Sequence, residues 1–297
     1  MPNLKEVKNR ITSVMSTQQI TKAMKMVAAA KLRKSQDRIT QMRPYAQKLN
    51  AILKNLSEAQ LSGDGDNWYS QVREEKRILI LAVSSDRGLC GSFNTTVMKG
   101  VTRLIQEKYE AQARQGNVVI LPIGRKATEF FGKRKFEVIG QYSNLFSALT
   151  FEHASEVGEH IMKAFREGKF DKVELVYNEF KNVATQILRT EQLLPVVSPE
   201  PQAGVAASSQ IDYIYQPSQQ EIVEALIPNS LKVQIFKALL DSNAAENGAR
   251  MTAMDKATEN AGELLKELKL SYNRSRQAAI TKEILEIVGG AEALKSA

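Results

Sequence analysis

The sequence predicts a mixed α/β chain in which long N- and C-terminal helices pair as an antiparallel coiled coil around a central Rossmann-like α/β domain. Three observations predict it. Small or apolar side chains recur at alternating steps of four and three near both ends of the chain, which is the seam of a coiled coil. Between the ends, short β-branched runs alternate with amphipathic stretches, the pattern of an α/β layer with a mainly parallel sheet. One insert joins the two seams, so they should meet antiparallel. The expected divisions are an N-terminal helix at 1–60, a globular domain at 61–216 and a C-terminal helix at 217–297.

The first seam runs through Ala28, Leu32, Ser35, Ile39, Met42, Ala46, Leu49, Leu53 and Leu56. Leu4, Val7, Ile11 and Val14 keep the same steps, with an expected phase shift near Ile20. Pro44 falls inside this helix and should kink it. Gly and Asp mark residues 61–76 as a loop. Arg77–Val83 (RILILAV) then reads as a strand, followed by the turn SSDRGLCGS and a helix over Phe93–Ala113. Asn117–Gly124 is a second strand, with a helix through Phe131 and a weak strand at Val138–Gln141. Phe151–Glu167 reads as an amphipathic helix, and Lys172–Phe180 and Thr185–Leu194 as strands.

A Pro/Ala/Gly/Ser loop is expected at 198–209, an edge strand at Ile211–Tyr215 and a helix from Ser218 to Leu226. Pro228 should restart the helix at its first turn. The second seam follows Ala257, Ala261, Leu264, Leu268, Ser271, Ser275 and Ala278, shifts phase, and resumes at Ile284, Ile287, Ala291 and Leu294. Alanine and serine at so many seam positions permit close approach but bury little apolar area.

Charge narrows the partners. Residues 1–56 hold twelve lysines and arginines against two acids, whereas 229–297 hold ten against nine. The basic helix wants an acidic partner, whether protein, nucleic acid or anionic lipid. Its cations surround a regular seam and only Tyr45 interleaves with them before Trp68, so nucleic acid is the weaker option. No apolar run reaches about 18 residues, so nothing spans a bilayer as a helix. The start, MPNLKEVKNR, lacks a signal-peptide core, and Glu6 argues against a transit peptide. The single cysteine, Cys90, excludes an internal disulfide.

Candidate chemistry is sparse. No GxxxxGK[ST] or GxGxxG occurs, although a glycine-bearing turn after a first strand is where α/β folds hold phosphates. His153 and His160 are seven residues apart, about 10.5 Å along a helix, too far to ligate one metal together. Cys90 reads as a buried thiol. The sequence therefore implies no catalytic residue, no cofactor and no metal. A mechanical or structural subunit is the first option. A nucleotide-binding α/β enzyme with coiled-coil arms, or a nucleic-acid-binding coiled-coil scaffold, remains open on residues alone.

ITKAMKMVAAAKLRKSQDR with RPYA, SSDRGLCGSFN, ARMTAMDKATENA and YNRSRQAAITKEILEIVGGAEAL stand in order along essentially the whole chain. Together they closely resemble the gamma subunit family of F-type ATP synthases, of bacterial type. The resemblance implies a non-catalytic rotor shaft, one copy per complex. It would turn inside a hexamer of alpha and beta subunits, with its α/β domain beside the epsilon subunit and the c-ring. It would then be a peripheral protein on the cytoplasmic face of the cell membrane. The family pattern implies beta-subunit contacts at Lys25, Lys31, Arg33, Arg276, Gln277 and Thr281. It implies an apolar sleeve around Val288, Ala291 and Leu294, and a foot facing the ring and epsilon at Tyr213 and Tyr215. Asn247-Gly248 departs from the stronger helix formers usual there, which suggests easier bending. The long insertion of photosynthetic members is missing, and with Cys90 alone a chloroplast-type redox switch should be absent.

Overall fold

In the computed structural model, residues 4–60, 68–134, 136–140, 142–143, 145–196 and 219–295 are described. Of the expected loop 61–76 the part 61–67 lies outside them, as do the loop at 198–209 and the edge strand at 211–215, while 68–76 are turn and irregular as expected. In chain order the elements are α1 (Leu4–Gln60), β1 (Ile78–Val83), α2 (Phe93–Lys108), α3 (Glu110–Arg114) and β2 (Val118–Ile123). There follow α4 (Arg125–Gly132), β3 (Glu137–Val138), a 3-10 turn (Leu145–Ala148), α5 (Phe151–Arg166), β4 (Lys172–Phe180), β5 (Gln186–Leu194) and α6 (Gln219–Lys295). Two compact units result, Ala30–Ala249 and Met1–Ala29 with Arg250–Ala297.

The larger unit is built on one sheet of order β3-β2-β1-β4-β5. β1 pairs in parallel with β2 and β4, β2 in parallel with β3, and only β5 runs antiparallel, as a hairpin with β4. β1 and β2 are buried along their whole lengths, which is why they read as unbroken apolar runs instead of alternating ones. Ile78, Ile80 and Ala82 point to one face, where Val97, Val101, Leu104 and Ile105 of α2 and Phe131 of α4 close the core. The expected helix 93–113 breaks at Tyr109. That side chain turns inward, only 1% exposed, and donates a 2.7 Å hydrogen bond to the buried Glu174 of β4.

α6 packs with α5 and the hairpin within the same unit. Gly158 of α5 faces Lys232 and Ile235, and the Phe151 ring meets Phe236 edge-on at 5.6 Å. Gly248 lies under Phe180 and Val183 of the hairpin. The Asn247-Gly248 pair thus provides close approach to the sheet, an observation the helix-former comparison missed. From Leu231 to Ala245 α6 is buried on nearly every side, as expected of a helix between two layers. One of those layers is α1, whose Ala46 and Leu49 cluster with Val233. The expected seam positions Ala28, Leu32, Ser35, Ile39, Ala46 and Leu49 are all buried. Leu53 and Leu56 lie outside the described side chains.

In the smaller unit, Val7, Ile11 and Val14 of α1 turn inward as expected. The expected phase shift near Ile20 does not occur. Ile20 is exposed, and the steps of four and three continue through Gln18, Thr21 and Lys25 to Ala28. Polar side chains occupy the seam there, so apolarity alone lost the phase. On α6, Ala257, Ala261, Leu264, Leu268, Ser271 and Ser275 are buried or half-buried, whereas Ala278 is exposed and Ala279 takes its place. Pro228 does not restart a helix; α6 runs through it. The proline removes one backbone donor, and Ile227 and Leu231 are buried on either side of it. Pro44 likewise sits inside α1. No described helix is long and apolar enough to cross a membrane.

Candidate functional site

The last turns of α6 carry most of the expected contact residues. Arg276 and Gln277 are exposed, and Thr281 donates a 2.9 Å hydrogen bond to the Gln277 carbonyl one turn earlier. A Lys282–Glu286 pair at i,i+4 adds local support. Beyond them Ile280, Ile284, Leu285, Ile287 and Val288 are each 47–71% exposed. A run of large apolar side chains in solvent is a candidate contact surface. Val288 and Ala291 belong to it, and the side chain of Leu294 lies outside the described residues. Tyr213 and Tyr215 also lie outside them.

The basic residues of α1 divide. Lys25 pairs with Asp255 of α6 and is half-buried. Lys31 and Arg33 are exposed. Lys31 joins Lys34, Arg38 and Arg87 around an open cavity of about 380 Å³, with Asp86 and Glu246 on its wall. Arg38 donates 3.3 Å to the Leu149 carbonyl there.

The turn after β1 uses its polar groups internally. Ser84 Oγ accepts from the Ala127 N–H at 2.8 Å, and Asp86 from the Arg125 N–H at 3.1 Å. The first N–H groups of α4, the helix after β2, are therefore already occupied by this turn. Gly124 makes the approach possible. Its φ is +98°, and a Cβ would overlap the Ser84 carbonyl. Cys90, 1% exposed, lies 3.2 Å from the Asn94 amide nitrogen. His153 Nδ1 lies 2.7 Å from the Ala148 carbonyl, and His160 Nδ1 lies 3.2 Å from the Tyr142 hydroxyl. Among the described residues no cluster could hold a metal.

Sequence reasoning missed Asp241. It is 1% exposed on α6, and neither carboxylate oxygen has a hydrogen-bond partner. Arg43 of α1 stands 3.7 Å away. Burial pushes its pKa up to about 6, with Arg43 and Lys237 pulling back and Glu179 and Glu191 adding to the rise. Burial also raises the pKa of Tyr177, helped by the charge of Glu191, to which its hydroxyl donates at 2.7 Å. No motif flags such a residue. The only available signal was an acid at the centre of the apolar run FKALLDSNAA.

These features define a class: a two-helix coiled-coil protein with an α/β insert. The chain matches the family described as ATP synthase over residues 3–294. It is 58% identical to the ATP synthase gamma chain of Cytophaga hutchinsonii, covering all of both chains. It is 53% identical to that of Christiangramia forsetii over 99% of each, and 49% to that of Chlorobaculum tepidum over 99% and 100%. Among solved structures, a chain of the Euglena gracilis mitochondrial ATP synthase superposes with a TM-score of 0.68 at 22% identity, covering 98% of this chain and 94% of that one. A chain of the Tetrahymena thermophila central stalk and c-ring gives 0.57 at 24%, over 80% and 99%. These two establish likeness of fold. The chain belongs to the ATP synthase gamma chain family.

Proposed function

We propose that this chain is the central-stalk rotor subunit of a bacterial F-type ATP synthase. In this reading it contributes no catalytic residue, binds no cofactor, and sits on the cytoplasmic face of the membrane through the c-ring. The full-length identity to bacterial gamma chains carries the reading, and the exposed end of α6 supports it. Arg276, Gln277 and Thr281 would meet a beta subunit. Lys31 and Arg33 would face its acidic loops, with Lys25 contributing less because it already holds Asp255. Val288, Ala291 and Leu294 would turn in an apolar sleeve. Tyr213 and Tyr215 would form the foot beside epsilon and the ring. In functional terms the division is 1–60 and 217–297 as shaft, 61–216 as base.

Coupling then rests on differential contact. An asymmetric helix pair inside three equivalent sites touches each differently, and only that difference can shift a site between conformations. Many weak, screened contacts suit an axle that must also turn. The test is co-purification followed by turnover. A tagged chain should bring down alpha and beta subunits at three copies each per chain. In that complex, Arg276→Ala with Gln277→Ala should lower ATP turnover while nucleotide affinity at the beta sites stays the same. Failure to recover alpha and beta would end the proposal; unchanged turnover in intact complex would remove these two residues from the contact set.

A further inference from the structure

The polar interval of the smaller unit's seam carries an inference about the helix pair itself, whatever partner it has. Gln18 Nε2 donates to the Thr258 carbonyl at 3.4 Å. Thr258 Oγ1 donates to Thr21 Oγ1 at 2.8 Å, and Thr21 Oγ1 donates to the Gln18 carbonyl at 3.0 Å. Lys25 pairs with Asp255. Gly262 supplies a notch, since a Cβ there would stand 3.0 Å from Gln18 Nε2.

We infer that Gln18, Thr21 and Lys25 of α1, with Asp255, Thr258 and Gly262 of α6, are register-setting residues for the antiparallel helix pair. The rest of this seam is poorly suited to that task. Val7, Ile11 and Val14, and Ala257, Ala261, Leu264 and Leu268, are interchangeable apolar or small side chains that pack acceptably in neighbouring heptad registers. A polar seam position fixes register at a cost in stability, because only one alignment satisfies it. A slip of one heptad in one direction sets Thr21 against Leu265, Lys25 against Gly262 and Gln18 against Lys269. The opposite slip sets Thr21 against Met251. Each loses the Thr258–Thr21 and Gln18–Thr258 hydrogen bonds and the Lys25–Asp255 pair together, while the threonine hydroxyls keep acceptors on their own helices, the Gln18 and Met254 carbonyls.

Disulfide trapping reads the register directly in the full chain carrying Cys90→Ser. Thr21→Cys with Thr258→Cys reports the native alignment, their hydroxyls being 2.8 Å apart. Thr21→Cys with Leu265→Cys reports the slip; seven residues further along, about 10.5 Å, it is beyond disulfide reach in the native alignment. Each pair is then placed in a chain with Gln18→Leu, Lys25→Leu and Asp255→Leu. The expected result is that cross-linking shifts from the native pair toward the slipped pair while the melting temperature of the helix signal is kept or raised. A merely stabilising role would lower the melting temperature and leave the native pair dominant. Conservative Lys25→Arg with Asp255→Glu should restore the native pair. Exclusive native cross-linking in the apolar chain overturns the inference. Should that chain lose its helix signal, Gln18→Leu with Gly262→Ala reads the same pairs by the same criterion.

Discussion

Replacing Asp241 by asparagine removes a charge that the fold holds out of water. The folded pKa is about 6, against an ordinary value of 3.8. At ~1.4 kcal/mol per pH unit, the ionised carboxylate costs the folded state about 3 kcal/mol. The sign follows from the raised pKa. Above pH 6 the full cost is present; as pH falls from 6 toward 4 the folded chain takes up the proton and the cost disappears. Asparagine never bears that cost, but its amide inherits a site without hydrogen-bond partners, and Arg43 loses its counter-charge. The net expectation at about pH 7.5 is a gain of ~1–3 kcal/mol. Urea unfolding of the full chain, followed by helix signal, measures it. The gap between variant and parent should narrow at about pH 5 and close near pH 4. An asparagine variant no more stable than the parent at pH 7.5, or a gap that ignores pH, would refute the reasoning.

Two further expectations concern the α/β unit. Tyr109→Phe deletes the hydroxyl that satisfies buried Glu174 and should destabilise by ~1–3 kcal/mol in the same urea assay, whereas an exposed tyrosine replaced likewise would show almost nothing. Gly124→Ala meets both a φ of +98° and the Ser84 carbonyl; it should cost more than ~3 kcal/mol, read as loss of soluble chain or a sharply lowered unfolding midpoint.

The sequence disclosed the architecture where a single physical cause dominated. Ala28 to Leu49 follow one seam because apolar burial sets every step but Ser35, and β1 and β2 announce themselves because both faces are covered. It misled where two causes competed. At Gln18, Thr21 and Lys25 hydrogen bonds replaced apolar contacts, so a continuous seam looked shifted. At Tyr109 a buried carboxylate drew the ring inward and ended a helix whose pattern continued. At Pro228 the packing of Ile227 and Leu231 outweighed the local preference of proline. The contact residues proposed on α6 were legible by resemblance alone, since exposed Arg276 and Gln277 carry no periodic signature. Asp241 could not be found, because its importance lies in the groups that fail to approach it.

The all-round burial of α6 between Leu231 and Ala245 has a consequence for synthesis. The segments that this helix covers, Ser35–Leu49 of α1 and the β4–β5 hairpin, are made before it. At ~5–20 residues per second, roughly three to ten seconds separate completion of β5 from emergence of the helix that closes over it. During that interval a nascent chain presents a finished hairpin with a bare apolar flank and an N-terminal helix without a mate. Chaperone demand for this protein should therefore peak late in translation, and stalling between residues 194 and 250 should leave the species most prone to aggregate.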